Sequence, residues 1–137
     1  MLIPQDFIRI DMLGVEDVQK NPSIGLLQNL VVYGHLHFEV VILEGILNNW
    51  NYQDLFKTIE EIYHKQIFAY YFDLPFEETV KRHIQRKSSS FTEKEMREWW
   101  AEKNYIFNIK EKIITKEMSV EETVDLIYQD ITRVPEQ

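Results

Sequence analysis

Three sets of polar residues, each placed at the end of an apolar run, carry the chemical potential of this chain. Pro4-Gln5-Asp6 follows Met1-Leu2-Ile3, and Arg9 stands one helical turn on. Val40-Val41-Ile42-Leu43 ends abruptly in Glu44 and Gly45, with Asn48 just beyond. Tyr70-Tyr71-Phe72 ends in Asp73, and Lys81, Arg82 and Arg86 follow on the next predicted helix. Arg82 and Arg86, four residues apart, are expected on one face of it. Carboxylates and guanidinium groups meeting at one sheet edge suit phosphoryl transfer. An acid orients or deprotonates the attacking hydroxyl, and arginines neutralise the equatorial oxygens of the moving phosphoryl group. In an open α/β sheet, such groups meet beyond the carboxyl ends of the strands.

The elements that must position these groups follow from periodicity and capping. Met1 to Pro4 reads as the inside of a strand. Asp6 is placed to cap a short helix running to Leu13. Asn21-Pro22 starts the next helix, a capping side chain followed by proline at the first helical position. Ile24, Leu27, Leu30 and Val31 carry its helical spacing to Leu36. Residues 39–44 read as a strand buried on both faces, because four apolar residues stand in a row without polar alternation. Asn48-Asn49 is a turn. Tyr52 to Tyr63 is a second amphipathic helix, with Leu55, Phe56, Ile59 and Ile62 on one face. Gln66 to Phe72 is another strand, and Glu77 to Lys87 a helix that ends at a mobile Ser88-Ser89-Ser90. Thr92 and Glu95 form a capping box, opening a helix with Met96, Trp99 and Trp100. Lys112 to Thr115 is a short strand. Ser119 and Glu122 form a second capping box, and the last helix places Val120, Val124, Ile127 and Ile131 on one stripe. The tail from Arg133 onward is expected to fray. Strands alternating with helices imply an α/β sheet with helices on both faces, in a single domain over residues 1–137.

Bulk composition narrows the chemistry. The chain has 137 residues, 45% of them hydrophobic, enough for one folded domain with a core. It has no cysteine, which excludes disulfide and thiolate chemistry. No apolar run approaches the ~20 residues of a membrane-spanning helix, and no leader pattern opens the chain, so the default location is the cytoplasm. The net charge of −8 repels nucleic-acid backbones. The one basic concentration, Lys81, Arg82, Arg86 and Lys87, suits one or two phosphate groups on a small molecule.

Plainer roles compete with each of these residues. Asp6 can serve as an N-cap alone, Arg9 as a surface residue and Glu44 as an ordinary strand-terminal acid. Arg82 and Arg86 can form a solvated helix face. His35-x-His37 has the spacing of a strand metal pair but no third ligand, and reads as helix-end or surface histidines. Trp99-Trp100 reads as packing, one ring against the core and the other covering a hinge, with stacking on a base as the alternative.

Taken together, the segments resemble a family. Pro4-Gln5-Asp6-x-x-Arg9-x-x-Met12-Leu13 is similar to the Asp-x-x-Arg motif after the second strand of polynucleotide-kinase-like and zeta-toxin-like P-loop kinases. Val41-Ile42-Leu43-Glu44-Gly45 looks like their next strand with its acidic end. Tyr70 to Pro75, then Glu77-Glu78-Thr79, Arg82 and Arg86, looks like their fourth strand leading into an arginine-bearing lid, here about residues 77–103. The last helix resembles the closing helix of the same domain. The resemblance covers nearly the whole chain in the family's order.

The resemblance implies a three-layer α/β/α, mostly parallel sheet and an ATP-dependent kinase acting on a hydroxyl of a small substrate. Asp6 would be the base that engages the acceptor hydroxyl. Arg9, with Gln5 and Asn48, would hold the substrate. Glu44 would sit near magnesium or substrate, and Arg82 and Arg86 would cover the nucleotide phosphates. Magnesium and ATP are the implied cofactors. The sequence departs from the pattern at the family's first, central strand, its phosphate loop and the helix behind it. None of the four glycines precedes a lysine, so these residues contain no Gly-x-x-x-x-Gly-Lys-Ser/Thr loop. Three expectations follow. The natural start lies upstream of Met1, or the chain is a non-catalytic kinase-fold binding or regulatory module, or another chain supplies the loop. A sheet without its central strand would expose two apolar edges and favour a homo-oligomer or a domain-swapped dimer.

Overall fold

The structure, a computed structural model, describes residues 1–86 and 91–133. The predicted break at Ser88-Ser89-Ser90 and the tail beyond Arg133 lie outside these residues. The chain is mixed α/β, and its described strands form two parallel, two-stranded sheets. It divides into two compact units, Met1–Ile67 with Ile106–Ile109, and Phe68–Tyr105 with Lys110–Gln137.

In the first unit, β1 (Leu2–Pro4) pairs with β2 (Ile42–Glu44), in the register Leu2↔Ile42, Ile3↔Leu43 and Pro4↔Glu44. Parallel strands need a crossover connection, and α1 (Ser23–His37) supplies it. Its start follows the sequence closely. The Asn21 Oδ1 accepts from the Ser23 backbone N–H at 3.1 Å and from the Ser23 hydroxyl, while Pro22 holds φ at −61°. Ile24, Leu27 and Val31 of α1 pack with Ile3, Ile8 and Tyr52, and with Leu55 and Phe56 of α2 (Gln53–Tyr63). Gly34 allows the chain after α1 to lie close, since a Cβ there would stand 2.7 Å from the Val41 Cγ2.

The strand over 39–44 is shorter than predicted and is covered on one face. Val41 and Leu43 pack on the core, whereas Val40 and Ile42 are exposed. Alternate strand residues point to opposite faces, and α1 and α2 pack on the Val41 and Leu43 side. An unbroken apolar run marks a strand able to be buried twice. It does not ensure that both covers exist.

In the second unit, β3 (Ala69–Asp73) pairs with β4 (Glu111–Thr115), with α3 (Phe76–Gln85) and α4 (Glu93–Trp99) between them and α5 (Val120–Thr132) after them. Both capping boxes form. Thr92 and Glu95, and Ser119 and Glu122, exchange side-chain and backbone hydrogen bonds as their spacing requires. Trp100 packs edge-on against Phe76 at 5.3 Å between ring centres, Arg97 lies 4.0 Å over the same Phe76 ring, and Trp99 meets Phe91 at 5.1 Å. Both tryptophans meet aromatic neighbours, but both are exposed, so the core contact expected of one of them does not form.

The last helix differs from expectation. Val120 is 79% exposed and Val124 57%, and the residue that α5 buries is Thr123. Helical spacing identified a stripe but not the turn at which it meets a neighbour. The C-terminal half of α5 is fastened by charge. Asp130 accepts from the Lys112 ammonium of β4 at 2.6 Å and from the Tyr70 hydroxyl of β3 at 2.7 Å. Lys112 and then Tyr70 hold the Asp130 carboxyl below its ordinary value of 3.8. A carboxyl with a lowered folded-state pKa contributes stability above its unfolded value and loses it as pH falls through the folded one. Asp130→Asn should therefore lower stability to urea at neutral pH. The gap to wild type should close as pH falls below 3.8, read by tryptophan fluorescence. A gap independent of pH would show that the contact does not act through charge.

Candidate functional site

The carboxyl ends of β1 and β2 meet in the first unit, and the fully buried Gln5 stands there. Directly after β1, the chain enters a π-helix over Phe7–Met12, closed by the Leu13 N–H donating to the Ile8 carbonyl. Such wide turns concentrate at functional sites. Asp6 takes the cap position, as predicted, but its backbone is already helical at φ −64° and ψ −40°, and its side chain caps no N–H. A capping side chain needs an extended backbone to reach back. The carboxylate instead meets Arg9, with Oδ1 3.3 Å from Nη2.

Arg9 is not a surface residue. Its side chain is 15% exposed, against 50% for Asp6. Nη1 donates to the Val15 carbonyl at 3.1 Å, and the Val15 N–H donates back to the Arg9 carbonyl at 3.0 Å. Nε is buried without a partner among the described residues. The guanidinium thus ties the loop after the π-helix to the Asp6 carboxylate, and leaves the Asp6 side chain the more open of the pair.

Beneath the pair lies a relay that the sequence did not announce. Gln5 is fully buried, and its Nε2 donates to the Tyr52 hydroxyl at 2.6 Å. The Tyr52 hydroxyl donates to the Asp17 Oδ1 at 2.9 Å, and the Asn51 amide donates to the same oxygen at 3.3 Å and to the Asp17 carbonyl at 3.1 Å. Burial, then the hydrogen bond to Asp17 and its charge, push the Tyr52 phenol up to about 12, although Asn21 and the Arg9 charge oppose the rise. Gln5 Oε1 has no partner among the described residues and faces Gly45, where a Cβ would stand 2.7 Å from it. Gly45 also has φ +146°, a conformation that glycine tolerates and L side chains avoid.

The other predicted residues are placed less centrally. Gln5 is a buried support for this region and has no exposed surface for a substrate. Glu44 is exposed at the end of β2, in register with Pro4. Asn48 uses its side-chain oxygen on the Trp50 N–H at 2.9 Å, the turn role read for Asn48-Asn49. Arg82 and Arg86 belong to the second unit. The Arg82 Nε donates to Glu78 at 2.9 Å, which holds the Glu78 carboxyl below its usual range. Arg86 does not share a helical face with Arg82. α3 ends at Gln85, and Arg86 is extended at φ −76° and ψ 126°. His35 and His37 lie in the last turn of α1, where His35 meets the Tyr63 ring and His37 the Tyr33 ring.

Among the described residues, no group of three His, Asp or Glu side chains could hold a metal ion. Glu44 alone, with no glycine-rich phosphate loop in these residues, does not make a fit for magnesium and ATP. No described helix is long and apolar enough to cross a membrane. No protein-family model, curated protein or solved structure matches the chain.

Two substitutions test this construction. Tyr52→Phe keeps the ring but leaves the Gln5 amide without its acceptor and removes one of the two donors to the Asp17 Oδ1, and should cost about 2 kcal/mol in urea unfolding. It should also remove the phenol that titrates at about 12 from an ultraviolet difference titration. Gly45→Ala combines backbone strain with a clash on Gln5, and should cost at least about 2 kcal/mol. Wild-type stability in that variant would mean that Gln5 and β2 can separate freely.

Proposed function

We propose that this chain is the substrate-binding part of a kinase-like phosphotransferase. Its Asp6 engages a hydroxyl group of a small molecule at the carboxyl ends of β1 and β2. The observation that supports this most is the Asp6–Arg9 pair at 3.3 Å, with Arg9 largely buried and Asp6 half-exposed. A buried guanidinium fixes the carboxylate and balances its charge, and the exposed carboxylate oxygen remains free to accept a hydroxyl hydrogen. The parallel β1–β2 pair puts that group where open α/β sheets place their ligands. The fold that goes with this reading is the three-layer α/β/α P-loop kinase-like domain. Small uncharged or singly phosphorylated ligands suit a chain of net charge −8 better than a polynucleotide.

These residues, by themselves, are proposed to bind substrate and not to transfer phosphate. Transfer needs the phosphates held by backbone N–H groups, a lysine and a metal, and the groups described above do not supply that set. One observation favours the alternative, a non-catalytic binding or regulatory module. Both Arg9 Nη atoms are already engaged inside the protein, by Asp6 and by the Val15 carbonyl.

Calorimetry of the full chain tests the proposal, titrating a panel of nucleosides and monosaccharides and, separately, Mg-ATP. At least one hydroxyl compound should give saturable heat, and Asp6→Asn should weaken it about tenfold. Unchanged binding in Asp6→Asn, or no binding across the panel, would sink the site assignment. Saturable Mg-ATP binding would overturn the restriction to substrate binding.

A further inference from the structure

The outer side of β2 combines three features that no residue of the site above requires. The first is a free main-chain edge. The Ile42 N–H donates to the Met1 carbonyl at 2.8 Å and the Val40 carbonyl accepts from the Met1 amino group at 2.6 Å, so Val40 and Ile42 face β1. Backbone groups alternate along a strand, which turns those of Val41 and Leu43 to the other edge, and β1 is the one described partner of β2. The second is an outward apolar row. Val40 and Ile42, at alternate positions, are both exposed, and Leu2 lies beside Ile42 across the ladder and is exposed too. The third is charge. Glu39 and Glu44 bracket the row, and neither has an ion-pair partner among the described residues.

We propose that β2 accepts an extended segment of a partner protein as an added strand, and that the segment alternates apolar residues between basic ends. Main-chain hydrogen bonds from Val41 and Leu43 would supply pairing, and the outward row would receive alternate side chains. Cations at the ends of the incoming segment would meet Glu39 and Glu44. Charge also argues against a second copy as the occupant. Two such edges would bring four carboxylates onto one short seam, between chains that each carry −8. Natural sheets commonly protect such edges with lysine or proline, and Val40 to Leu43 contains neither. This inference is independent of the substrate site.

The test uses the full chain and two fluorescein-labelled heptapeptides, Lys-Thr-Val-Thr-Ile-Thr-Lys and its counterpart with glutamates at both ends. Fluorescence anisotropy should show saturable binding of the lysine-ended peptide, at least about tenfold tighter than the glutamate-ended one. The double variant Glu39→Lys, Glu44→Lys should reverse that preference. Amide exchange at Val41 and Leu43 should slow on binding. Equal binding of both peptides, binding of neither, or a preference that survives the charge reversal would overturn the proposal. So would binding without protection at Val41 and Leu43, or self-association of the chain that excludes the peptide.

Discussion

The hydrogen bond from the Gln5 amide to the Tyr52 hydroxyl governs the first unit. Both residues are fully buried, so each must find its partner inside the protein. Gln5 ends β1, and Tyr52 opens α2. Tyr52 passes its own hydrogen to Asp17, in the loop between the π-helix and α1. One short chain of polar atoms therefore joins a strand end, a loop and a helix start. Exchanging its members for apolar residues would fill the same space but would no longer specify which loop meets which helix.

Arg9 sits above this chain, and its charge acts on the same phenol. Its burial makes the Asp6–Arg9 pair different from the exposed ion pairs of α4, where both partners are open to water and their contribution is small. A largely buried arginine with two oxygen partners cannot leave its place cheaply. Asp6 is the accessible half of the pair, which is why the functional proposal rests on the acid.

The parts that could be read from the sequence are those decided within a few residues. Thr92 with Glu95 and Ser119 with Glu122 close on themselves, and Asn21-Pro22 starts α1 by its own chemistry. The inward face of α2 follows from the spacing of Leu55 and Phe56. Contacts decided by distant chain segments were not readable. Gln5 and Tyr52 are separated by 47 positions, and no spacing rule links a glutamine to a tyrosine across that distance. Tyr52, Asp17, Asn51 and the Val15 carbonyl consequently went unrecognised, although they hold the site together. The exposed half of β2 and the exposed start of α5 were missed for a related reason. Periodicity reports which residues can face a neighbour, and the neighbour itself is a tertiary fact.

The π-helix has a consequence for how this segment tolerates change in length. A wide turn of this kind holds one more residue than an α-helical turn would between the same hydrogen-bonded points. Loss of a single residue between Asp6 and Arg9 would let the segment relax to ordinary helical winding, but would bring the acid and the arginine from three positions apart to two, and side chains two apart on a helix do not face each other. The segment is therefore a place where a deletion one codon long, more than most substitutions, separates chains that keep the Asp6–Arg9 pair from chains that cannot form it.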